Sequence, residues 1–200
     1  SQTFILRFIN LMGTAAVSAK VYGSMLANIA YVYSIAAAEA TQIILGYMIG
    51  AGKLKEVCPR VWSTIRIALA ASELLTLVIL IFCDPIYSIF TADPVIHQLG
   101  RQILYVEFAL EIGRSINIVM VRGLTTAGDV WYPVTVGIFS MWLVSVGGSW
   151  LLGDVLGWGL AGIWIAMACD ECLRGLLFTI RFQRGKWKVK RLVSGLPKQD

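Results

Sequence analysis

Polar side chains recur along the largely apolar stretch YVEFALEIGRSINIVMVRGLTTAGD, residues 105–129, among them Glu107, Glu111, Arg114, Asn117 and Arg122. Glu107, Glu111 and Arg114 are spaced i, i+4 and i+7, and Asn117 continues the series. In an α-helix this spacing places the group on one face. A charge at mid-membrane costs roughly 2.5 to 3.5 kcal/mol on insertion scales, so such groups usually face a bundle interior, pair with one another or mark a transport path.

This stripe suits proton or cation coupling, in which a carboxylate changes its charge as a pathway opens first to one side and then to the other. A purely structural ion pair that fixes the register of the helix is the alternative. The sequence leaves both interpretations open.

A second charged group lies in the segment CDECLRG. Asp170 and Arg174 are spaced i, i+4, and Glu171 and Arg174 are spaced i, i+3. We expect Arg174 to neutralise only one of the two carboxylates fully, and the other to find a partner across the bundle in Arg114.

Three further charges lie in apolar segments. Glu39 is the one charge between Val21 and Ile49, and an isolated intramembrane glutamate is either protonated and hydrogen-bonded or part of an ion path. Glu73 and Arg66 are expected to snorkel or to pair.

The elements that must position these residues are membrane helices. Of the 200 residues, 58% are hydrophobic and only 14% are charged, and the mean hydropathy is +0.74. Long uncharged runs recur along the whole chain, which predicts an all-α, polytopic transmembrane helical bundle. The predicted transmembrane lobe covers residues 1–182, with the tail of a first helix at about 1–12, a connection at 13–20, and helices at about 21–49, 61–83, 95–126, 131–152 and 158–182.

The distribution of charge predicts the orientation. The loop from Lys53 to Arg60 is basic and the connection from Asp84 to His97 is acidic, so the positive-inside rule places the first in the cytoplasm and the second outside. Seven of the seventeen Lys and Arg residues lie between Arg181 and Lys198, which predicts a basic cytoplasmic tail at 183–200 and a multi-pass protein of the cell membrane. Such a tail indicates anionic lipid rather than nucleic acid as its partner. An interfacial aromatic belt is predicted at Trp131, Tyr132, Trp150, Trp158 and Trp187.

Other function classes are disfavoured. The chain has one histidine, and no nucleophile accompanied by a base, so an enzyme is not expected. The four cysteines predict neither a disulfide framework nor a metal site, and no cofactor is expected. Because the sequence starts at Ser1 within an apolar run and shows no secretory signal, we expect it to be part of a longer protein.

Four segments together resemble the C-terminal half of the multidrug and toxic compound extrusion (MATE) transporters. They are AEATQIILGYMIGAGK, LTTAGDVWYPVTVGIFSMW, GLAGIWIAMACDECLRG and RFQRGKW. The resemblance implies a pseudo-symmetric transporter of twelve helices in two six-helix lobes, of which this chain is the second. It implies antiport of drugs or other organic, often cationic, small molecules against H⁺ or Na⁺, with the lipid bilayer and the missing N-terminal lobe as partners.

The resemblance has one departure. Counting back from the AGD turn at 127–129, Arg114 stands where several family members carry a coupling carboxylate, and an arginine cannot bind the ion. Glu111 is then the candidate ion ligand, or Arg114 acts as a fixed counter-charge. A lipid-linked oligosaccharide flippase of the same superfamily and a non-transporting membrane scaffold are the alternatives.

Overall fold

The computed structural model describes residues 2–185 and residue 187, and these residues form an all-helical bundle without strands. The predicted fold class is therefore confirmed. The helices are α1 (Gln2–Leu11), α2 (Thr14–Gly50), α3 (Leu54–Ile81), α4 (Cys83–Phe90), α5 (Pro94–Thr126), α6 (Trp131–Val155) and α7 (Gly159–Gln183). The predicted basic tail at 183–200 falls, apart from residues 183–185 and 187, outside the described residues.

Two connections are shorter than the sequence predicts. Helix α2 begins at Thr14, so the connection predicted over residues 13–20 is reduced to a turn at Gly13, which has a φ of 95°. The segment TAAVSAK is rich in alanine, the best helix former, and contains no breaker. Helix α3 likewise begins at Leu54, seven residues earlier than predicted, so much of the basic loop is helical.

The acidic connection contains a helix that the sequence analysis missed. Helix α4 is eight residues long, and its Tyr87 is fully buried against Gly100 of α5. A Cβ atom at Gly100 would lie 2.3 Å from the Tyr87 ring, so this contact requires glycine. Burial raises the pKa of the Tyr87 phenol. Asp93 then starts α5 by accepting a hydrogen bond from the Val95 amide, with Pro94 as the first helical residue.

Helix α5 lies at the centre of the bundle, packed against α2, α3 and α7. Its closest approach is to α7, where a Cβ atom at Gly113 would lie 2.6 Å from the backbone nitrogen of Cys172. Gly46 and Gly50 of α2 have the small-xxx-small spacing that favours close approach of a neighbouring helix. Within the described chain, however, a Cβ atom at Gly46 would lie 4.0 Å from Thr126 and one at Gly50 would meet nothing within 4 Å.

The outer surface of the bundle suits a lipid environment. Helices α2, α3 and α6 are long and apolar enough to span a membrane, whereas α5 and α7 carry the buried charges. Helix α6 starts as an α-helix and continues through two π-helical stretches, Met141–Val146 and Ser149–Val155. Trp131, Trp150 and Trp158 are exposed as a belt requires, but Trp187 is buried, stacks on Phe182 and donates to its carbonyl oxygen.

Candidate functional site

Arg114 is held between two carboxylates of its own helix. Its Nη1 atom lies 2.6 Å from Glu107 Oε1 and 2.9 Å from Glu111 Oε2. Both glutamates are buried, with 1% and 0% of their surface exposed. The guanidinium also lies over the ring of Tyr31, with its Cζ atom 5.4 Å from the ring centroid. The face predicted from the spacing of these residues is thus present in the structure.

The remaining oxygens of the two glutamates are bonded to other helices. Trp164 of α7 donates its indole N–H to Glu107 Oε2 over 2.8 Å. Ser34 of α2 donates to Glu111 Oε1 over 2.9 Å, and Ser115 donates to the same oxygen over 3.3 Å. Since each carboxylate oxygen has a donor, the pair can stay ionised in the interior.

A chain of buried serines extends from Glu111 towards α3. The Oγ atoms of Ser34 and Ser115 are 2.7 Å apart, and those of Ser115 and Ser72 are 3.1 Å apart. The chain joins α2, α5 and α3. The sequence analysis missed these residues, although Ser34 continues the buried stripe that contains Ala30 and Ala38 at helical spacing.

Arg174 forms the second cluster, and it reaches both carboxylates of its helix. Its Nη2 atom lies 2.7 Å from Asp170 and 2.7 Å from Glu171. Asp170 also accepts a hydrogen bond from Ser140 of α6, and Asn117 donates to Glu171 over 2.6 Å. The expected ion pair across the bundle with Arg114 is absent from the described residues, because Asn117, one turn further along α5, provides the cross-helix bond instead.

Glu39 is neither isolated nor buried. Its side chain is 57% exposed, and its carboxylate lies 3.7 Å from Arg122 Nη2. Arg122 also donates to Gln42 over 3.0 Å. Glu39 is therefore an exposed, paired group rather than an isolated one, and its role in an ion path stays a prediction.

Glu73 occupies a different environment from the one expected. Both of its carboxyl oxygens are buried and have no hydrogen-bond partner among the residues that the structure describes, and Arg66, two turns earlier on α3, is exposed. Glu73 directly follows Ser72, the α3 member of the serine chain that leads through Ser115 to Glu111.

The two arginine clusters face one cavity of about 420 Å³ between α2, α5 and α7. Glu107, Arg114 and Asn117 line it from α5, and Glu171 and Arg174 line it from α7. Glu111 and Asp170 contact the two arginines on the side away from the cavity. A volume of this size is typical of a small-molecule site, which usually covers about 300–1,000 Å³.

The clusters carry more carboxylates than arginines. Arg114 contacts two carboxylates and Arg174 contacts two, so each cluster has one excess negative charge when all its groups are ionised. A proton or a small cation can offset that charge. Within the described chain, no three His, Cys, Asp or Glu side chains are placed to hold a metal ion together.

Comparison with known proteins identifies the family of this chain. The family model described as MatE matches residues 1–151. An uncharacterized transporter, YisQ of Bacillus subtilis, is 32% identical over 190 residues, which are 95% of this chain and 42% of the relative. A probable multidrug resistance protein, NorM of Thermotoga maritima, is 22% identical over 96% of this chain and 42% of its own length. The chain therefore spans less than half the length of these relatives.

A solved structure shares the fold. The MATE transporter VcmN of Vibrio cholerae, in its bent form, superposes with a TM-score of 0.81 at 21% identity, over 92% of this chain and 41% of that chain. The chain belongs to the MatE family of multidrug and toxic compound extrusion transporters.

Proposed function

We propose that this chain is one lobe of a secondary antiporter that exports organic small molecules in exchange for H⁺ or Na⁺. The observation that carries the proposal is the pair of buried arginine clusters, each with one carboxylate in excess, facing a single cavity. Ionisable groups inside a membrane helix bundle are costly, and they typically mark ion and substrate pathways.

The Arg114 cluster is the proposed coupling site. Glu111 takes up the ion, with the hydroxyl oxygens of Ser34 and Ser115 beside its carboxylate. Arg114 is a fixed counter-charge that keeps one carboxylate ionised at every stage, while the second alternates between its free and its proton- or Na⁺-bound form. Ion uptake at Glu111 is transmitted to the cavity through Arg114, because the same guanidinium contacts Glu107 on the cavity surface.

The Arg174 cluster and Asn117 form the other side of the proposed pathway. Asn117 bonds Glu171 across the α5–α7 contact, so a change of charge in either cluster alters the same cavity surface. Glu39 lies apart from both clusters, at an open pair with Arg122, and we assign it to the edge of the pathway rather than to ion binding.

In the proposed whole transporter, a first lobe covers the open side of this cavity, and the bilayer surrounds both lobes. The basic segment between Lys53 and Arg60 and the basic C-terminus then face the cytoplasm, following the positive-inside rule. The α4 end of the lobe faces the outside.

The flippase alternative requires a cationic cavity for a pyrophosphate group. Arg114, Arg122 and Arg174 are the arginines that could supply it, and each of them has at least one carboxylate partner. These three residues therefore offer it little support. A non-transporting scaffold would contain the same ion pairs, and it differs from a transporter only in the absence of flux.

The proposal is tested by Glu111→Gln in the transporter of which this lobe is a part. Gln has the same shape and cannot change its charge, so dye export driven by an imposed H⁺ or Na⁺ gradient should fall at least about tenfold in proteoliposomes. Glu56→Gln, at an exposed position in the first turn of α3, is the matched control and should export normally. Normal gradient-driven export by Glu111→Gln would refute the role of Glu111, and absence of flux in the unaltered transporter would favour the scaffold.

A further inference from the structure

Glu73 of α3 carries a buried carboxyl group outside the two arginine clusters. Both of its carboxyl oxygens are shielded from solvent, and neither has a hydrogen-bond partner in the part of the chain that the structure describes. Other acids inside the bundle differ from it, because Glu107, Glu111 and Asp170 each lie within 2.9 Å of an arginine nitrogen. The charge of an ionised Glu73 would not be offset in this way.

The helices packed against α3 bring no unpaired cation to the level of Glu73 within the described chain. Helix α5 contributes the Arg114 cluster, in which the arginine is already bonded to two carboxylates. Residues 31–38 of α2, at the level of the serine chain, include tyrosines but no charged side chain. Helix α4 starts about 15 Å further along the axis of α3, and its Asp84 is paired with Arg101.

The surroundings of Glu73 favour its neutral form. An ionised carboxylate costs far more to remove from water than the neutral acid does, and such a group usually takes up a proton instead. Helix α3 is apolar enough to span a membrane, and Leu74 and Leu77 are exposed on its outer surface. The nearest cation on the same helix, Arg66, is two turns away and exposed. Glu73 is therefore protonated in this conformation.

A series of contacts links the α3 segment that carries Glu73 to the cavity. Ser72, the residue before Glu73, lies 3.1 Å from Ser115 between their hydroxyl oxygens. Ser115 donates to Glu111 over 3.3 Å, and Glu111 belongs to the Arg114 cluster, which lines the cavity. Because an opposite charge favours the ionised form of a carboxyl group, a cation that enters the cavity favours ionisation of the acids along this series.

We propose that Glu73 is a second proton-binding site of the lobe, neutral in this conformation and ionised once a cation occupies the cavity. The proton leaves the carboxyl group for water, which reaches Glu73 when the contact between α3 and α5 loosens, and the bound cation balances the carboxylate that remains. The proposal rests on the proposed function, because it adds a proton at Glu73 to the ion carried at Glu111.

The test is infrared spectroscopy of the whole transporter in nanodiscs at neutral pH, without an ion gradient. A protonated carboxyl group has a carbonyl stretch that is distinct from the bands of a carboxylate and that shifts in D₂O. We expect such a band in the unaltered protein, and we expect it to weaken when ethidium, a permanently cationic dye, is added. A pH indicator in weakly buffered solution should record the released proton at the same time.

Variants assign both signals to Glu73. Glu73→Gln has the shape of the neutral acid but has no proton to release, so it should lose this part of the carbonyl band and release one proton fewer per transporter on addition of ethidium. Glu73→Asp should keep the release and shift the band. Glu56→Gln, at an exposed position on the same helix, is the control and should behave as the unaltered protein.

Three results would each overturn the proposal. A carbonyl band that is the same in the unaltered protein, Glu73→Gln and Glu73→Asp would show that Glu73 is already ionised. A band assigned to Glu73 that ethidium leaves unchanged would show that the acid is permanently neutral. Proton release that is unaltered in Glu73→Gln would place the released proton elsewhere.

This test is separate from the test of antiport. Signals that depend on Glu73 in a transporter without gradient-driven flux would leave the proton site in place and refute antiport. Gradient-driven export by Glu73→Gln with an unchanged number of protons moved per dye would do the reverse.

Discussion

At the scale of single residues, Arg114 supplies the positive charge that stabilises the buried glutamates of the lobe. It is the cation bonded to both Glu107 and Glu111, and each glutamate is in turn bonded to a neighbouring helix through Trp164 or Ser34. Removing one partner of a buried ion pair leaves an uncompensated charge, which costs about 3–5 kcal/mol, far more than an exposed pair contributes.

We therefore predict that Arg114→Gln is strongly destabilising, by about 3 kcal/mol or more. The matched control is Arg101→Gln. Arg101 pairs with Asp84 at the surface, where the two side chains are 51% and 57% exposed, so its loss should leave stability nearly unchanged. Thermal unfolding of the purified protein in detergent, followed by size-exclusion chromatography with fluorescence detection, measures both.

A compensating change tests the mechanism. If the loss arises from unpaired acids, Arg114→Gln combined with Glu107→Gln and Glu111→Gln should recover much of the stability, because neutral amides need no counter-charge. A triple variant as unstable as Arg114→Gln alone, or an Arg101→Gln variant that is equally unstable, would contradict this account.

Residue spacing predicts pairs within one helix better than contacts between helices. The contact of Arg114 with Glu107 follows from i, i+7 spacing and its contact with Glu111 from i, i+3 spacing. The contact of Arg174 with Asp170 follows in the same way from i, i+4 spacing. The bond from Asn117 to Glu171 depends on the register between α5 and α7. That register is set by packing, which a single sequence does not show.

At the scale of the elements, the contact between α5 and α7 positions both clusters. The two helices pack closely because Gly113 of α5 has no side chain. Gly175 of α7 also lies in this contact, and a Cβ atom added to it would be 3.1 Å from the Gly113 carbonyl oxygen. The two arginine clusters are one turn or less from these glycines, so the distance between α5 and α7 fixes the width of the cavity.

We predict that Gly113→Ala weakens this contact by about 1–3 kcal/mol, the usual cost of overpacking. The added Cβ atom would lie 2.6 Å from a backbone atom of Cys172, which cannot rotate away. Gly137→Ala is the control, because a Cβ atom there meets nothing within 4 Å and alanine favours the helix by about 1 kcal/mol. Thermal unfolding of the two variants should move in opposite directions. A Gly113→Ala protein as stable as the unaltered one would show that α7 can shift without loss.

Hydropathy and charge placed the long helices but not their ends or the short elements. The start of α2 at Thr14 was missed because a small, polar stretch was interpreted as a connection rather than as an alanine-rich first turn. Helix α4 was missed because its eight residues, which include Asp84 and Pro85, are too few to show a period. Its stability comes from burying Tyr87 on α5, a tertiary effect.

At the scale of the whole molecule, the cavity is open on one side. Its surface comes from α1, α2, α5 and α7, and no described element covers the side on which Asn28 is exposed. Transport by alternating access requires a second surface that closes over the site from each side in turn. The chain spans 42% of the length of its relatives YisQ and NorM, which leaves ample length in such proteins for that surface.

We predict that these 200 residues alone, reconstituted in liposomes, do not transport a dye against an H⁺ or Na⁺ gradient. A lobe that cannot close its cavity can bind the dye and the ion, but it cannot expose its site to one side of the membrane at a time. The flow of the ion down its gradient is then not coupled to movement of the dye. The control is the same liposome assay with the remaining lobe supplied on the same or a separate chain, which should establish export that collapses when the gradient is dissipated. Gradient-driven export by the 200 residues alone would mean that the missing surface comes from a second copy of the chain, and crosslinking between copies through an introduced cysteine at Asn28 would then be expected.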